Sequence, residues 1–527
     1  MGTTETERQL VALPRGKGRV YLNWRLLPED DPREAFHVER RFGEGPWQQI
    51  TKAPVTEATE FTDTPEPAGL YRYRVVSARG PSRAVSMDTT LPATNLAVEF
   101  ALVRAPSLKR VRMAVGDLDD DGRCEFLVLD GKDGRLVLTA YTLDGEVMWE
   151  AETGLPAAGG WDGRSWHVPF MARDVNDDGR TEVVFHTAGE DGFEGDYYER
   201  GEPHERLVAV DGQTGETVWQ APWPGTHPRV MLNVGRLRGD HGAPSVVVVD
   251  GTYGDELVTA VDGATGQLQW QVRQERPAGH NVDIGDVDDD GRQEVIVGGV
   301  CYRGDGTVLW QAEPFGHTDV SKPARYLPDR PGLQTLFLVE SHNPGVYLVD
   351  QGGRTIWQEP FGHAHWCWIG RHEGCGDTLM IHAAEKGERE YFPVYYPDGR
   401  VLGEFTRWQA HHYAAVGWRA DGCTAFINRG RQAIVGLDER LDEYPLPGAE
   451  LPTGTRLKDR NHVCLDIVGD YREEYVGVDY EKGTLFVAAN PQPARRRAPS
   501  PNEDPAYRRE RSQFGTGYYT YLCPPAP

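Results

Sequence analysis

The sequence predicts an all-β chain: an eight-bladed β-propeller behind an N-terminal fibronectin-III-like β-sandwich. Three observations lead there. Apolar residues alternate with period two, the rhythm of half-buried strands. Turns of Asp-Gly and Thr-Gly type recur between such segments, and Trp closes one hairpin after another. Finally, 527 residues exceed what one hydrophobic core supports, while Gly 61 and Pro 37 argue against a long helical array.

Residues 1–17 read as a tail and 18–92 as the sandwich. Val20–Trp24, Phe36–Arg40 and Gly69–Val76 alternate as strands, with a Trp early and Tyr71-Arg72-Tyr73 late. Nothing in this unit looks catalytic. From 98 to 527 the chain repeats a unit of strand, tight turn and Trp-terminated strand: Ala140–Trp149, Val208–Trp219 and Thr259–Trp270, then shorter versions ending at Trp310 and Trp357. The Trp spacings of 70, 51, 40 and 47 residues are near a propeller period. Weaker turns at Asp398-Gly399 and Asp438-Glu439 bring the hairpins to seven, and the apolar block 463–489 supplies an eighth. The tail Tyr518–Leu522 is expected to close the ring.

Composition removes several function classes. Lys+Arg 56 against Asp+Glu 81 leaves a net charge of −25, so neither nucleic acid nor an anionic membrane surface is an expected partner. No segment approaches the ~20 apolar residues of a membrane span. The N-terminus lacks the layout of a secretory signal, and seven scattered Cys lack CxxC spacing, which together lean towards buried thiols and a cytoplasmic protein, with a secreted mature form as the alternative. Oligomeric state is not specified. A polyanionic ligand would need bound cations, or local Arg and His, to reverse the sign at its site.

Such cations are provided for. Asp117-Leu118-Asp119-Asp120-Asp121-Gly122-Arg123-Cys124-Glu125 has oxygen donors at positions 1, 3, 5 and 9, as do Asp174, Asn176, Asp178 and Glu182, and Asp286, Asp288, Asp290 and Glu294. Each loop carries Gly at position 6 and leads into an apolar strand. Calcium takes 6–8 oxygens from a tight acidic loop of this kind; an EF-hand would place Glu at 12, between helices. Three structural calcium sites, each fastening a blade edge, are therefore expected.

Histidine placement is the second signal. His167, His280, His317, His363, His365, His411, His412 and His462 each precede the first apolar strand of a repeat. In a propeller these connections converge on one face. A lone His is usually a satisfied polar residue, but this set reads as a functional site, holding a metal with carboxylate help, doing acid–base work, or both. Trp161, Trp166, Trp366, Trp368 and Trp408 share those loops and suit sugar stacking or packing.

Several runs resemble the rhamnogalacturonan lyases of polysaccharide lyase family 11. They are Val20–Trp24, the three acidic loops, Gly279-His280-Asn281, Gly316-His317-Thr318-Asp319, Pro328–Leu333, Val339-Glu340, Asp466–Glu474 and Asp504–Arg508. The resemblance covers nearly the whole chain. It implies calcium-dependent β-elimination at a uronate of a rhamnose-containing oligo- or polysaccharide, with one divalent cation in the cleft held at His280, His317 and Glu340. Three departures concern the substrate side. Asp250–Asp255 stands where the family has an Arg-rich loop, His363 where it has Arg, and Asn428-Arg429-Gly430-Arg431 where it has a Lys-bearing segment. From chemistry rather than resemblance, His363 or His365 is the candidate base and Tyr413 or His412 the proton donor, with Trp166, His167, Trp366 and Arg429 contacting substrate. The acidic insertion Glu190–Glu205 would favour short or singly charged ligands.

Other readings keep the fold and change the work: a non-catalytic carbohydrate-binding propeller, an adhesion scaffold, or a metal-dependent glycan enzyme of another reaction type. The His-lined face favours an enzyme over a scaffold.

Overall fold

The computed structural model describes residues 8–108, 111–157, 168–188, 205–225, 230–312, 316–457, 463–494, 497–504, 507–508, 511, 513–514 and 521–522. Nearly all of its regular structure is antiparallel strand. At the N-terminus, Val11–Pro14, Val20–Asn23 and Glu60–Asp63 form a three-stranded sheet. It packs on a five-stranded sheet built around His37–Phe42 and Leu70–Ser77. The alternation read in Leu70–Val76 is the observed burial: Tyr71, Tyr73 and Val75 point into a core shared with Trp24 and Phe36.

Eight further sheets follow in chain order. Their first strands are Arg112–Gly116, Phe170–Arg173, Val230–Gly235, Val282–Gly285, Thr318–Ala324, Ala364–Gly370, Ala415–Val416 and Val463–Leu465. In the first seven, consecutive hairpins pair four strands in sequence order. The eighth takes its fourth strand, Leu96–Ala101, from before the first sheet, so residues at both ends of the region share one ladder.

The recurring Trp fastens four of these sheets to the next. Trp149, Trp219, Trp270 and Trp357 donate their indole N–H to the carbonyls of Gly212, Gly263, Gly304 and Pro397, at 2.7, 2.6, 2.9 and 2.8 Å. Each acceptor lies in the last turn of a later sheet. A Cβ on Gly215 would stand 2.7 Å from the Trp149 ring, and its φ is +72°, so this turn requires glycine. Phe100 takes the place of Trp for the strand Leu96–Ala101, lying under Gly145. These side chains are packing elements and not sugar platforms.

The predicted eight-bladed propeller behind a fibronectin-III-like sandwich is corrected. The chain is all-β, but its strand pairing gives ten separate, mainly antiparallel sheets, and no strand pairing joins them into a closed ring among the described strands. The physical reason is that tight turns and the Trp repeat specify which neighbouring strands pair, whereas ordering whole sheets depends on contacts no local turn encodes. The tail is corrected too. Tyr521–Leu522 does not complete the eighth sheet but runs parallel to Trp368-Ile369 in the sixth.

The helix Arg407–His412 opens with a capping box between Thr406 and Gln409. Among the described residues no helix is long and apolar enough to cross a membrane. The described cysteines are free, and Cys124, Cys301, Cys367 and Cys464 are buried.

Candidate active site

Backbone geometry at the start of three consecutive sheets assembles the site. His280 precedes the strand Val282–Gly285, His317 precedes Thr318–Ala324, and His363 precedes Ala364–Gly370. A Cβ on Gly279 would fall 1.8 Å from the Thr318 carbonyl, so only glycine lets the 279–280 turn approach the next sheet and bond His280 N–H to that carbonyl at 3.0 Å. The ladders then skip one residue each, between Thr318 and Val320 and between Ala364 and Trp366. The residues at those bulges are Asp319 and His365. A bulge re-aims a side chain, and here both are turned towards each other and share a hydrogen bond.

Asp319, with no side-chain exposure, is the hub. Its Oδ1 lies 3.3 Å from His280 Nε2 and 3.6 Å from His317 Nε2. Its Oδ2 meets His365 Nδ1 and lies 3.5 Å from His363 Nε2. His363 Nε2 is also 2.6 Å from Glu340 Oε2, at the end of the neighbouring strand Gln334–Val339. Asn281 donates its amide to the Asp319 carbonyl at 2.6 Å and holds the strand in place.

The donor set can be tested for a cation. His317 Nδ1 lies 2.8 Å from the Thr252 carbonyl, which only accepts, so Nδ1 carries the proton and Nε2 the lone pair. That lone pair faces His280 Nε2 at 3.0 Å and Asp319 Oδ1, a buried oxygen without a hydrogen-bond donor. Two imidazole nitrogens and a carboxylate oxygen turned on one another are satisfied by a divalent cation, with Thr252 orienting one ligand from behind. His280, His317 and Asp319 fit as its holders.

Electrostatics separate the two halves. Burial works to raise the Asp319 carboxyl, but hydrogen bonds to His363 and His365 outweigh it and hold the carboxyl below the usual range. His363 is shifted up, first by its contact with Asp319 and then by Glu340, against the effect of burial. Burial and the Asp319 charge raise Glu340. With Nε2–H given to Glu340, neutral His363 keeps its lone pair on Nδ1, and 32% of its side chain is exposed.

The expected residues divide accordingly. His280, His317, His363, His365 and Glu340 come together, but Glu340 pairs with His363 and does not join the His280–His317 pair. Trp366 stands edge-on to His365, with its ring centroid 4.1 Å from that of His411, whose carbonyl accepts from Arg429 at 3.1 Å. Tyr413 is not at the cluster: it is buried, its hydroxyl is bonded to Glu443, and burial with that carboxylate raises it. Trp368 is buried in the core, and Trp408 is 44% exposed. Trp161, Trp166, His167, His462, most of the 190–205 insertion and the His412 side chain lie outside the described residues.

Two site residues were not picked out as such from the sequence. Asp319 was signalled by Phe-Gly-His occurring twice, each time with a polar residue two positions on, Asp319 and His365. Tyr253, 61% exposed, stacks on His317 with centroids 4.5 Å apart and 13° between planes; no local pattern announces it.

The acidic loops share one scaffold. Asp117, Asp174 and Asp286 each accept the amide of the position-6 glycine at 3.0 Å. Glu125, Glu182 and Glu294 accept the amides of Leu118, Val175 and Val287 at 2.8, 3.0 and 2.8 Å. Burial, then neighbouring carboxylates, pushes Asp117 up to about 7. Burial likewise pushes Glu125 up to about 9, and Glu182 and Glu294 to about 7. Buried Asp117 Oδ1 and Asp288 Oδ1 have no hydrogen-bond donor. Crowded oxygens of this kind fit a hard divalent cation at the first and third loops, where Asp117, Asp119 and Glu125, and Asp286, Asp288 and Asp290, bring donors together. Asn176 in the second loop instead turns its amide to Asp178 and Glu182, at 3.2 and 3.0 Å.

Comparison with known proteins identifies what the chain is similar to. Residues 207–526 match the family description "Rhamnogalacturonan lyase family 11, C-terminal domain", and residues 3–87 match "Rhamnogalacturonan I lyases beta-sheet domain". The chain is 27% identical over 412 residues to rhamnogalacturonan exolyase YesX of Bacillus subtilis (strain 168), covering 66% of this chain and 65% of that protein. It is 24% identical to rhamnogalacturonan endolyase YesW of the same organism, covering 95% of this chain and 88% of YesW. The crystal structure of YesX superposes with a TM-score of 0.79 at 20% identity, over 100% of this chain and 98% of that one. A Bacillus licheniformis rhamnogalacturonan lyase structure gives 0.76 at 21% identity, over 98% and 95%.

Proposed function

The chain belongs to rhamnogalacturonan lyase family 11, and from that premise we propose that it cleaves a rhamnose- and uronate-containing glycan by β-elimination with a divalent cation. The observation that carries the reading is the convergence of His280 Nε2, His317 Nε2 and Asp319 Oδ1 beside the His363–Glu340 pair. Elimination requires that the proton at C5 of the uronate be made acidic, accepted by a base, and that the C4–O bond then break. A divalent cation at the first group, when bound, neutralises the C6 carboxylate and so acidifies C5–H.

The chain's own residues do the rest. Asp319 keeps both imidazole pairs in register, and Thr252 fixes the His317 tautomer. Glu340 takes the Nε2–H of His363 and orients its ring, leaving Nδ1 to accept the C5 proton. The electrons of that C–H bond form the C4=C5 double bond, the C4–O bond breaks, and the glycosidic oxygen departs as an alcohol with a proton returned by the His363 imidazolium or drawn from water. Glu340 also stabilises the imidazolium formed. Exposed Tyr253, held parallel to His317, offers a flat face to a sugar ring. The first and third acidic loops are assigned calcium in a structural role.

The test is ultraviolet absorbance during incubation with rhamnogalacturonan I and other uronate-containing glycans, with calcium, with manganese, and with chelator. A rise with rhamnogalacturonan I that chelator abolishes and calcium restores is expected, because the product has a conjugated double bond. New reducing ends without absorbance would mean hydrolysis and sink elimination.

A further inference from the structure

We propose that Lys386 is a specificity-determining residue of this cleft, its ammonium meeting a uronate carboxylate of the bound glycan; this rests on the lyase reading above. Apart from a cation held by His280, His317 and Asp319, the carboxylates around the two donor groups oppose such a ligand. Asp319 and Glu340 lie within the cluster, and Glu385 stands at its rim, accepting the Gly362 amide at 2.6 Å.

Lys386 lies at that rim, near Arg389, whose guanidinium lies 4.8 Å over the Phe361 ring. Lys386 follows the strand Met380–Glu385 and is exposed. Its backbone is fixed on the site: the Lys386 amide donates to the His363 carbonyl at 2.7 Å, while Glu385 holds the residue before His363. The turn that carries the lysine is thus laced to the segment that carries His363. The ammonium is near enough to act electrostatically on both His363 and Glu340.

Lys132, Lys322 and Lys482 each lie within ion-pair distance of a carboxylate. Lys386 has no such partner among the described residues. An ammonium on a flexible stem, anchored only by its backbone, can follow a carboxylate that arrives with the ligand. A neutral sugar chain offers hydroxyl acceptors but no opposite charge, so the residue should discriminate by charge rather than by shape.

Binding decides this without turnover. Full-length His363→Ala protein, loaded with calcium, is titrated calorimetrically with rhamnogalacturonan I oligosaccharides. The same titration is run with those oligosaccharides after reduction of the uronate carboxyls to alcohols. Adding Lys386→Ala should weaken the charged ligand about tenfold and leave the reduced one unchanged, and Lys386→Arg should restore it. Equal binding of the charged ligand with and without Lys386 overturns the proposal, as does parallel loss for both ligands or no binding of the charged one. Failure of elimination itself would appear separately, in the absorbance assay on the unmutated chain.

Discussion

Asp319 contacts four imidazoles from one carboxylate, and its two oxygens divide the labour. Oδ1 faces His280 and His317, where a cation fits; Oδ2 faces His363 and His365. Asp319→Asn keeps the shape and removes the charge. We expect calcium affinity of the cleft and kcat/KM each to fall by roughly 10–100-fold, the usual cost of altering groups that hold and orient a metal site, read by calorimetry and by absorbance. The pH profile carries a second signature. Because His363 is raised, its neutral form appears only above the ordinary imidazole value of about 6.5, so activity should rise with pH on an acid limb above that value. The contact with Asp319 is the largest cause of the shift, and Asp319→Asn should move the limb down. An unmoved limb would show that another group limits the reaction.

The acidic loops and the loop at 466–474 show one element solved in two ways. Glu474 accepts the amides of Ile467 and Val468 at 2.7 and 2.9 Å, as Glu125 accepts that of Leu118. Position three is Val468, however, and the buried guanidinium of Arg472 is paired with Asp470. An internal cation thus supplies the positive charge that the first and third loops leave to an ion. The difference predicts how stability responds to chelation. Glu125, Asp117 and Glu294 are raised in the folded chain, to about 9, 7 and 7, so from about pH 4.5 to about 9 the native state binds more protons than the unfolded one. Stability of the chelated protein should therefore fall as pH rises through that window. Calcium should remove the slope, adding about 2.7 kcal/mol per site at 100 times its dissociation constant. Thermal unfolding from pH 4.5 to 8, with and without chelator, checks this; a flat chelated curve would contradict the raised carboxylates, and equal curves with and without calcium would contradict cation binding at these loops.

For the whole molecule, a net charge of −25 opposes the approach of a polyanion. The Debye length shrinks from about 30 Å at 0.01 M to about 8 Å at 0.15 M salt, so added salt should screen this long-range repulsion while sparing contacts inside the cleft. KM for polymeric rhamnogalacturonan should accordingly fall between those two concentrations at fixed calcium. A KM that rises instead would mean that local attraction, and not net charge, governs association. The molecule is also tied end to end: Leu96–Ala101 completes the eighth sheet, Arg25 pairs with Glu503, and the Ala494 amide donates to Glu60 at 2.6 Å. The N-terminal sheets therefore sit against late segments of the chain.

What the sequence determined by itself is local. Period-two alternation, Asp-Gly turns and spaced Trp specified strands, hairpins and the all-β class, because strand pairing across a tight turn is decided by adjacent residues. The loop spacing marked the carboxylates, and the position of His280, His317 and His363 before their strands marked the site. Tertiary structure alone decided the rest. The arrangement of sheets, the capture of Leu96–Ala101 by the eighth and of Tyr521–Leu522 by the sixth depend on faces far apart in the chain. Two bulges turned Asp319 and His365 into one cluster and left Glu340 with His363, and burial sent Tyr413 to Glu443. A side chain's partner across sheets is set by packing and desolvation, which spacing along the chain does not encode.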